Sequence, residues 1–531
     1  MATYRGQHRS QRNVTKRRRN PTVSIPPSFE AGIFDEPNLT FGGHHQHIDP
    51  KTGLALYGPY SVGRDDQMPL RSITVAVVGT PDLVFRMNNW LRGCQGIITN
   101  DGSEPFWRPA FPGINQNSCF QCDLVFGETW QEMIDPATLD NALRIPKYWE
   151  QLQEIVRLYT SAVEQVTQRE PKPTVIACII PEEIDACLDA LAAGMPKEAH
   201  PAHDRADYSG GESGKRIKDE TTSSDDYATG CSPFNIRRAL KAAFMRFEIP
   251  TQLVRGSTIG QPAIGVKRQR QDDATQAWNL VTALYYKAGS HPWRLANVQA
   301  GTCYVGISFY REKFGDKPGM RTSLAQIFTH TGDGLILRGK SFPWDRSQGP
   351  SPHLPESFAE ELLTDAIGLY TRHARGVSPT RLVLHKSSRF DGTEQRGFQN
   401  AVGNSIPRCD FVAMEKRGIQ LFRRGYHAPL RGTWVRLADG DFLLYTRGYI
   451  PFFRIYPGMR VPQPLEIVEL LGNSPADSVL SEILALTKMN WNSADFSCEE
   501  PITLAFSRKV GEVLALIPRA APMKEEYRYY M

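Results

Sequence analysis

The sequence predicts an α/β protein built from two successive units, and three observations predict it. Two stretches, "SITVAVVGTPDLVFRMNNWLRG" (72–93) and "PTVIACIIPEEIDACLDALAAG" (173–194), share one grammar: a β-branched run, a break at Pro, then apolar residues at helical spacing. From about residue 300 the order changes to three consecutive strands followed by alternating helices and strands. The 531 residues exceed what one ordinary core absorbs, and 40% hydrophobic with 22% charged residues is a globular composition.

The repeated strand–turn–helix unit argues for a mostly parallel sheet in the first half. Before it, 36–63 is rich in Gly and Pro and reads as extended entry structure, with "GGHHQH" (42–47) as a surface loop. The stretch 208–230 reads as a polar loop. Its Gly214-Lys215 is not a nucleotide-triphosphate loop, because no Ser or Thr follows Lys215. In the second half, "CYVGISFYR", "MRTSLAQIFTH" and "GLILRG" are read as three strands and 355–374 as a long helix. A strand over 381–386, a helix near 394–403, a strand over 410–416 and helices near 477–488 and 502–517 complete the order of the ribonuclease H fold.

Several function classes drop out. No apolar run reaches the roughly 18 residues of a membrane span, and the N-terminus lacks an apolar signal core. Nine scattered cysteines fit reduced thiols, and Cys119-x-x-Cys122 has no second pair to make a zinc site. A cytoplasmic protein without membrane contact is expected. Seven of the 62 basic residues fall within the first twenty positions without an acid, so the rest of the chain carries 55 bases against 57 acids. The segment 1–29 is therefore read as a disordered basic arm, and any polyanion bound by the nearly neutral body must sit in local pockets.

One such pocket is signalled around "SPFNIRRALKAAFMRFEIPTQLVRG" (232–256). Ser232 reads as an N-cap with Pro233 at the first turn. Leu240 and Phe244 supply an apolar face, while Arg237 and Lys241 stand one turn apart, where like charges repel unless an anion lies between them. A solvated basic face is the plainer explanation of that spacing. Gln252 follows in a strand, Lys287 ends the helix in "QAWNLVTALYYK", and "GVKRQRQ" (265–271) lies between them.

With these residues, and with "FRRGYHAPLRGTWV" (422–435), "LYTRGYIPFFRIYPGMRVPQPLEI" (444–467) and "EILALTKMNWNSADF" (482–496), the chain resembles a short prokaryotic Argonaute. That resemblance implies a Rossmann-like MID domain followed by a ribonuclease H-like PIWI domain. The implied division is a tail over 1–29, an N-terminal segment with MID over 30–298, and PIWI over 299–531. It implies that Arg237, Lys241, Gln252 and Lys287 hold the 5′-phosphate of a guide strand, Arg237 standing where the family has Tyr or His. It also implies a Mg²⁺ ion held by the Met531 carboxylate, at the end of "KEEYRYYM", with Gln252 as a second ligand.

An active PIWI domain carries carboxylates for two metal ions. Here Ser308 and Ser387 stand at two of those positions, Ser388 if the register slips, with Asn490, Asn492 and Asp495 near the last and Asp391 as a displaced acid. A serine hydroxyl is neutral, so the chain is expected not to cut. The resemblance implies a guide RNA, a complementary single-stranded DNA target from plasmid or phage, and a partner protein with an APAZ region. That partner would carry a sirtuin-like or TIR NAD-degrading effector, giving abortive antiviral defence. A guide-directed endonuclease, a nuclease effector, and an interaction module without a guide are the alternatives.

Overall fold

The computed structural model describes residues 30–64, 68–100, 106–193, 235–262, 264, 271–310, 320–329, 332, 334–344, 346–349, 351–416, 418–422, 425, 428–437, 440–457, 461–518 and 520–531. The basic segment 1–29, the loop 208–230, Ser232 and Pro233, and 265–270 lie outside the described residues.

The first sheet is parallel throughout. Strand Ser72–Gly79 lies at its centre, with Asp123–Val125 and Gln131–Met133 on one side and Val175–Ile180, then Thr251–Arg255, on the other. Both faces are covered, which explains the unbroken β-branched runs. Ile73, Val75 and Val77 pack with Leu83, Met87, Trp278 and Val281, while Ala76 and Val78 face Ile155, Tyr159 and Val163 of helix Tyr148–Thr167.

The second sheet has nine strands. Its centre is the parallel trio Thr302–Tyr310, Arg381–Lys386 and Arg408–Glu415. Met320–Thr329 and Gly334–Pro343 extend one side as an antiparallel meander. Helices Glu356–His373 and Gly392–Val402 cover one face; Ala476–Leu486 and Ile502–Leu514 contribute to the core on the other. Helix Ile502–Leu514 comes so close that a Cβ on Gly306 would lie 2.1 Å from the Thr503 carbonyl oxygen, so only glycine fits there.

Two features depart from the sequence expectations. Residues 36–63 are not simply extended: helix Pro50–Tyr57 forms there, with Asp49 accepting from the Thr52 amide at 2.8 Å and Pro50 in the first turn. The strand Glu30–Ile33 pairs antiparallel with Thr433–Arg436 and so forms the edge of the second sheet. Just after it, Glu36 meets Arg431 at 3.0 Å and Lys488 at 2.7 Å. Burial alone would raise the Glu36 carboxyl, yet the two cations hold it below its ordinary value.

A third, small sheet joins Leu39–Thr40 to Gln46–His47 and to Arg294–Leu295. It places part of "GGHHQH" in a short strand beside the segment that links the two large sheets. Among the described residues, no helix is long and apolar enough to cross a membrane.

Candidate functional site

Helix Ile236–Phe244 is capped by Asn235, whose side chain accepts from the Arg237 amide at 2.9 Å. Ile236, Leu240 and Phe244 turn into the core of the first unit. Lys241 is buried with them, only 5% exposed, so the solvated-face explanation of its spacing fails. Its ammonium donates to the Thr251 carbonyl at 2.6 Å and to the Thr251 hydroxyl at 3.3 Å. Arg237 is half-buried one turn earlier. Thr251 was not singled out from sequence, although it directly precedes Gln252.

Gln252 lies one residue into strand Thr251–Arg255, paired with Ala177. Lys287 arrives from the other direction, as the last residue of helix Asp273–Lys287, which Asp272 caps by accepting from the Thr275 amide at 2.8 Å. A lysine suits the negative end of a helix. Lys287 is 1% exposed and donates to Gln252 Oε1. Burial pushes its ammonium well below the ordinary lysine range, and the charge of Lys241 pushes it further. Lys241, Gln252 and Lys287, distant in sequence, therefore form one site. Among the described residues no carboxylate is recorded against Lys287, so a bound anion would favour its charged form.

The C-terminal segment closes around the elements that carry this site. The turn Tyr527–Tyr529 packs against helix Asp273–Lys287. The Tyr529 hydroxyl donates to the Glu248 carbonyl at 2.8 Å, in the turn that leads into strand Thr251–Arg255. A Cβ on Gly289, two residues past Lys287, would lie 3.0 Å from Arg528 Nη1. Met531 is half-buried against the main core. The residues present fit a phosphate better than a lone Mg²⁺, because the Gln252 amide oxygen already accepts from Lys287 and two ammonium groups repel a cation.

The second polar constellation lies at the ends of two central strands. Strands Thr302–Tyr310 and Arg381–Lys386 run parallel, with Gly306 opposite His385 and Ile307 opposite Lys386. Ser308 and Ser387 are the next positions along the two strands. Ser308 Oγ is buried and makes no hydrogen bond among the described residues, whereas Ser387 is exposed. The neighbouring polar groups are engaged structurally. His385 Nδ1 lies 2.8 Å from the Thr503 hydroxyl, and burial, then the Arg381 charge, pushes its ring down to about 3, so it is neutral. Lys386 pairs with Glu394 at 2.5 Å, both fully buried. Asp391 caps helix Gly392–Val402 by accepting from the Thr393 amide at 2.8 Å. Asn490 donates to Ser493 at 3.1 Å, and Ser493 to Asp495 at 2.8 Å, within one turn. Among the described residues no three His, Cys, Asp or Glu side chains gather as a metal site. Cys119 and Cys122 are free thiols that burial pushes up to about 12.

Comparison with solved structures assigns this architecture. Clostridium butyricum Argonaute, bound to a guide DNA and a 19-mer target DNA, superposes with a TM-score of 0.60 at 15% identity, covering 94% of this chain and 55% of that one. The fold is that of the Argonautes. Aquifex aeolicus Argonaute gives a TM-score of 0.54 at 14% identity and Drosophila Piwi 0.50 at 12%, each covering 94% of this chain. In sequence, the chain is 22% identical to the argonaute protein of Aquifex aeolicus (strain VF5) over 254 residues, 47% of this chain and 32% of that protein. No family model matches. The chain spans about half the length of the Argonautes it superposes on. Within the Argonaute fold the parallel sheet with the buried lysines corresponds to MID, and the nine-stranded sheet to PIWI.

Proposed function

We propose that the chain is an Argonaute that holds a guide strand by its 5′-phosphate and recognises a complementary strand without cutting it. The observation that carries this reading is Lys287: 1% exposed, donating to a neutral amide and repelled by Lys241, it has no carboxylate partner among the described residues. A terminal phosphate supplies a counter-charge and accepts from both ammonium groups, with Gln252 orienting it. Arg237, one turn from Lys241, adds a guanidinium for the same or the next phosphate. Base pairing along the held strand then supplies sequence specificity, and the protein needs to read only duplex shape.

The cutting step is absent in this reading because Ser308 and Ser387 occupy adjacent strand ends where paired carboxylates would gather metal ions. Output then passes to a partner. We assign that role to a separate APAZ-bearing effector that degrades NAD once guide and target are both bound, as an antiviral response. The guide is RNA and the target single-stranded DNA in this scheme, and Mg²⁺ enters only with the phosphate, through the Met531 carboxylate.

The test uses the full chain with guides bearing a 5′-phosphate or a 5′-hydroxyl. A preference of roughly 10–100-fold for the phosphate is expected, the size of one or two charge-assisted hydrogen bonds. Equal affinity for the two guides would remove the proposal. End-labelled complementary target, incubated with guide and Mg²⁺ or Mn²⁺, is expected to be retained intact. Metal-dependent cleavage would overturn the assignment of Ser308 and Ser387. A fall in NAD requiring guide, target and partner together tests the effector.

A further inference from the structure

Away from both polar constellations, a cavity of about 390 Å³ opens where three distant segments meet: residues 34–38, residues 295–298 and helix Ala476–Leu486. Tyr304, from strand Thr302–Tyr310, completes its wall. The charged side chains that line it are Asp35, Glu36 and Glu482, with no Lys, Arg or His among them. Three cations back this wall. Arg381 binds Glu482 at 2.5 Å, and Arg431 and Lys488 share Glu36. Two more acids draw on the same cations: Asp410 holds Arg381 at 2.8 Å, and the charge of Asp49 acts on Lys488. Five acids therefore stand against three bases, and Asp35 has no side-chain partner among the described residues.

Two buried oxygens at the cavity are left without a hydrogen bond. Glu482 gives Oε1 to Arg381 and keeps Oε2 unbonded. The Tyr304 hydroxyl, on a residue 1% exposed, lies close enough to Glu482 and Arg381 to feel both charges, yet meets the geometry of a hydrogen bond with neither. A buried polar group left in this state costs about 1–3 kcal/mol. Burial, outweighing the opposing pull of Arg381, holds the Glu482 carboxyl above its ordinary value, and a second positive group beside Oε2 would bring it down. An anion would meet carboxylates on this wall. A bare metal ion is far smaller than the space, and among the described residues no three His, Cys, Asp or Glu side chains gather to hold one. The volume suits a small organic molecule, the unbonded oxygens call for N–H donors, and Phe34 supplies a ring on which a flat cation can lie. A carboxylate shared between two cations already stands in the same wall, at Glu36.

We propose that this cavity binds a small planar organic cation, a guanidinium or amidinium compound, whose N–H groups donate to Glu482 Oε2 and Asp35. The bound cation ties the segment that follows edge strand Glu30–Ile33, and the link between the two large sheets, to helix Ala476–Leu486. The site shares no residue with the phosphate pocket, so its occupancy requires no guide strand.

Isothermal titration calorimetry of the full, strand-free chain with n-butylguanidinium tests it, with neutral n-butylurea as a control of the same shape. The guanidinium is expected to bind saturably and to raise the melting temperature, and the urea to bind at least about tenfold more weakly, the difference between charge-assisted and neutral hydrogen bonds. Asp35→Asn removes one charge from the half-buried side of the wall and is expected to weaken guanidinium binding about tenfold. Ala485→Phe puts a ring into the cavity while keeping every charge and is expected to abolish binding. Glu482→Gln is the poorer variant, because it also takes a partner from Arg381. Melting of each variant without ligand shows whether it has folded, and Asp35→Asn carries the test alone if Ala485→Phe has not. No saturable binding to the wild-type chain, equal affinity for the urea, or binding unchanged by either substitution in a folded variant would each overturn the site.

Discussion

Lys287 and Lys386 are both buried lysines, and they differ in what stands opposite. Lys386, in the PIWI-like sheet, faces Glu394 at 2.5 Å within a shell that includes His353. Lys287, in the MID-like unit, faces a glutamine amide and the repulsion of a second lysine. The PIWI-like unit repeats the first pattern: Arg381 binds Asp410 at 2.8 Å and Glu482 at 2.5 Å, and Arg431 and Lys488 share Glu36. A buried cation with its own carboxylate is structural, whereas Lys287, with a neutral amide and no carboxylate recorded against it among the described residues, is on the proposed reading arranged for an anion.

The sharpest way to break this distinction is to remove the charge at each position. Lys386→Met leaves Glu394 buried without its cation and is expected to destabilise the chain by about 3–5 kcal/mol in denaturant unfolding. Lys287→Met removes an uncompensated charge and should leave the strand-free chain as stable or more stable. Destabilisation of both to the same degree would abolish the contrast. Binding should reverse the order. Lys287→Ala is expected to lose roughly 10–100-fold in affinity for a 5′-phosphorylated guide and little for a 5′-hydroxyl guide, measured by filter binding.

pH gives a smaller effect with a definite sign. The folded Lys287 sits well below its ordinary value of 10.5, so between that lowered value and 10.5 the unfolded chain binds more protons. Stability of the strand-free chain from this group therefore rises with pH across that window. A bound phosphate restores the charged form, so guide binding should take up protons and weaken as pH rises. Calorimetry in buffers of different ionisation enthalpy measures the uptake, and Lys287→Met should abolish it. The smallest expected change is Asn235→Ala, which removes the cap of the helix carrying Lys241 and should cost about 1 kcal/mol by thermal melting.

The central elements of both sheets were legible because their periodicity is local. The β-branched runs 72–79 and 175–180 and the order of strands and helices from 302 to 415 needed no distant partner to be recognised. Asp49-Pro50 with Thr52 is an N-cap signature that would have revealed helix Pro50–Tyr57, had the glycines around it weighed less. The pocket was legible only through family resemblance. Spacing on one helix could not tell whether Lys241 was solvated, because its burial depends on Thr251 in another strand. The edge strand Glu30–Ile33 left no usable signal: four residues long, it is defined by its partner rather than by its own pattern. Glu36, Arg431 and Lys488 were hidden for the same reason.

That edge strand sets a clock for synthesis. Glu30 and Arg436, which close its ladder, are 406 residues apart. At a ribosomal rate of roughly 5–20 residues per second, about 20–80 s pass between their emergence. Until then the strand has no native partner, and Glu36 waits 395 residues for Arg431 and 452 for Lys488. An unpaired strand is a template for foreign pairing. The early chain is therefore exposed to aggregation at this strand, and folding yield should depend on what shields residues 30–36 while the second sheet is still being made.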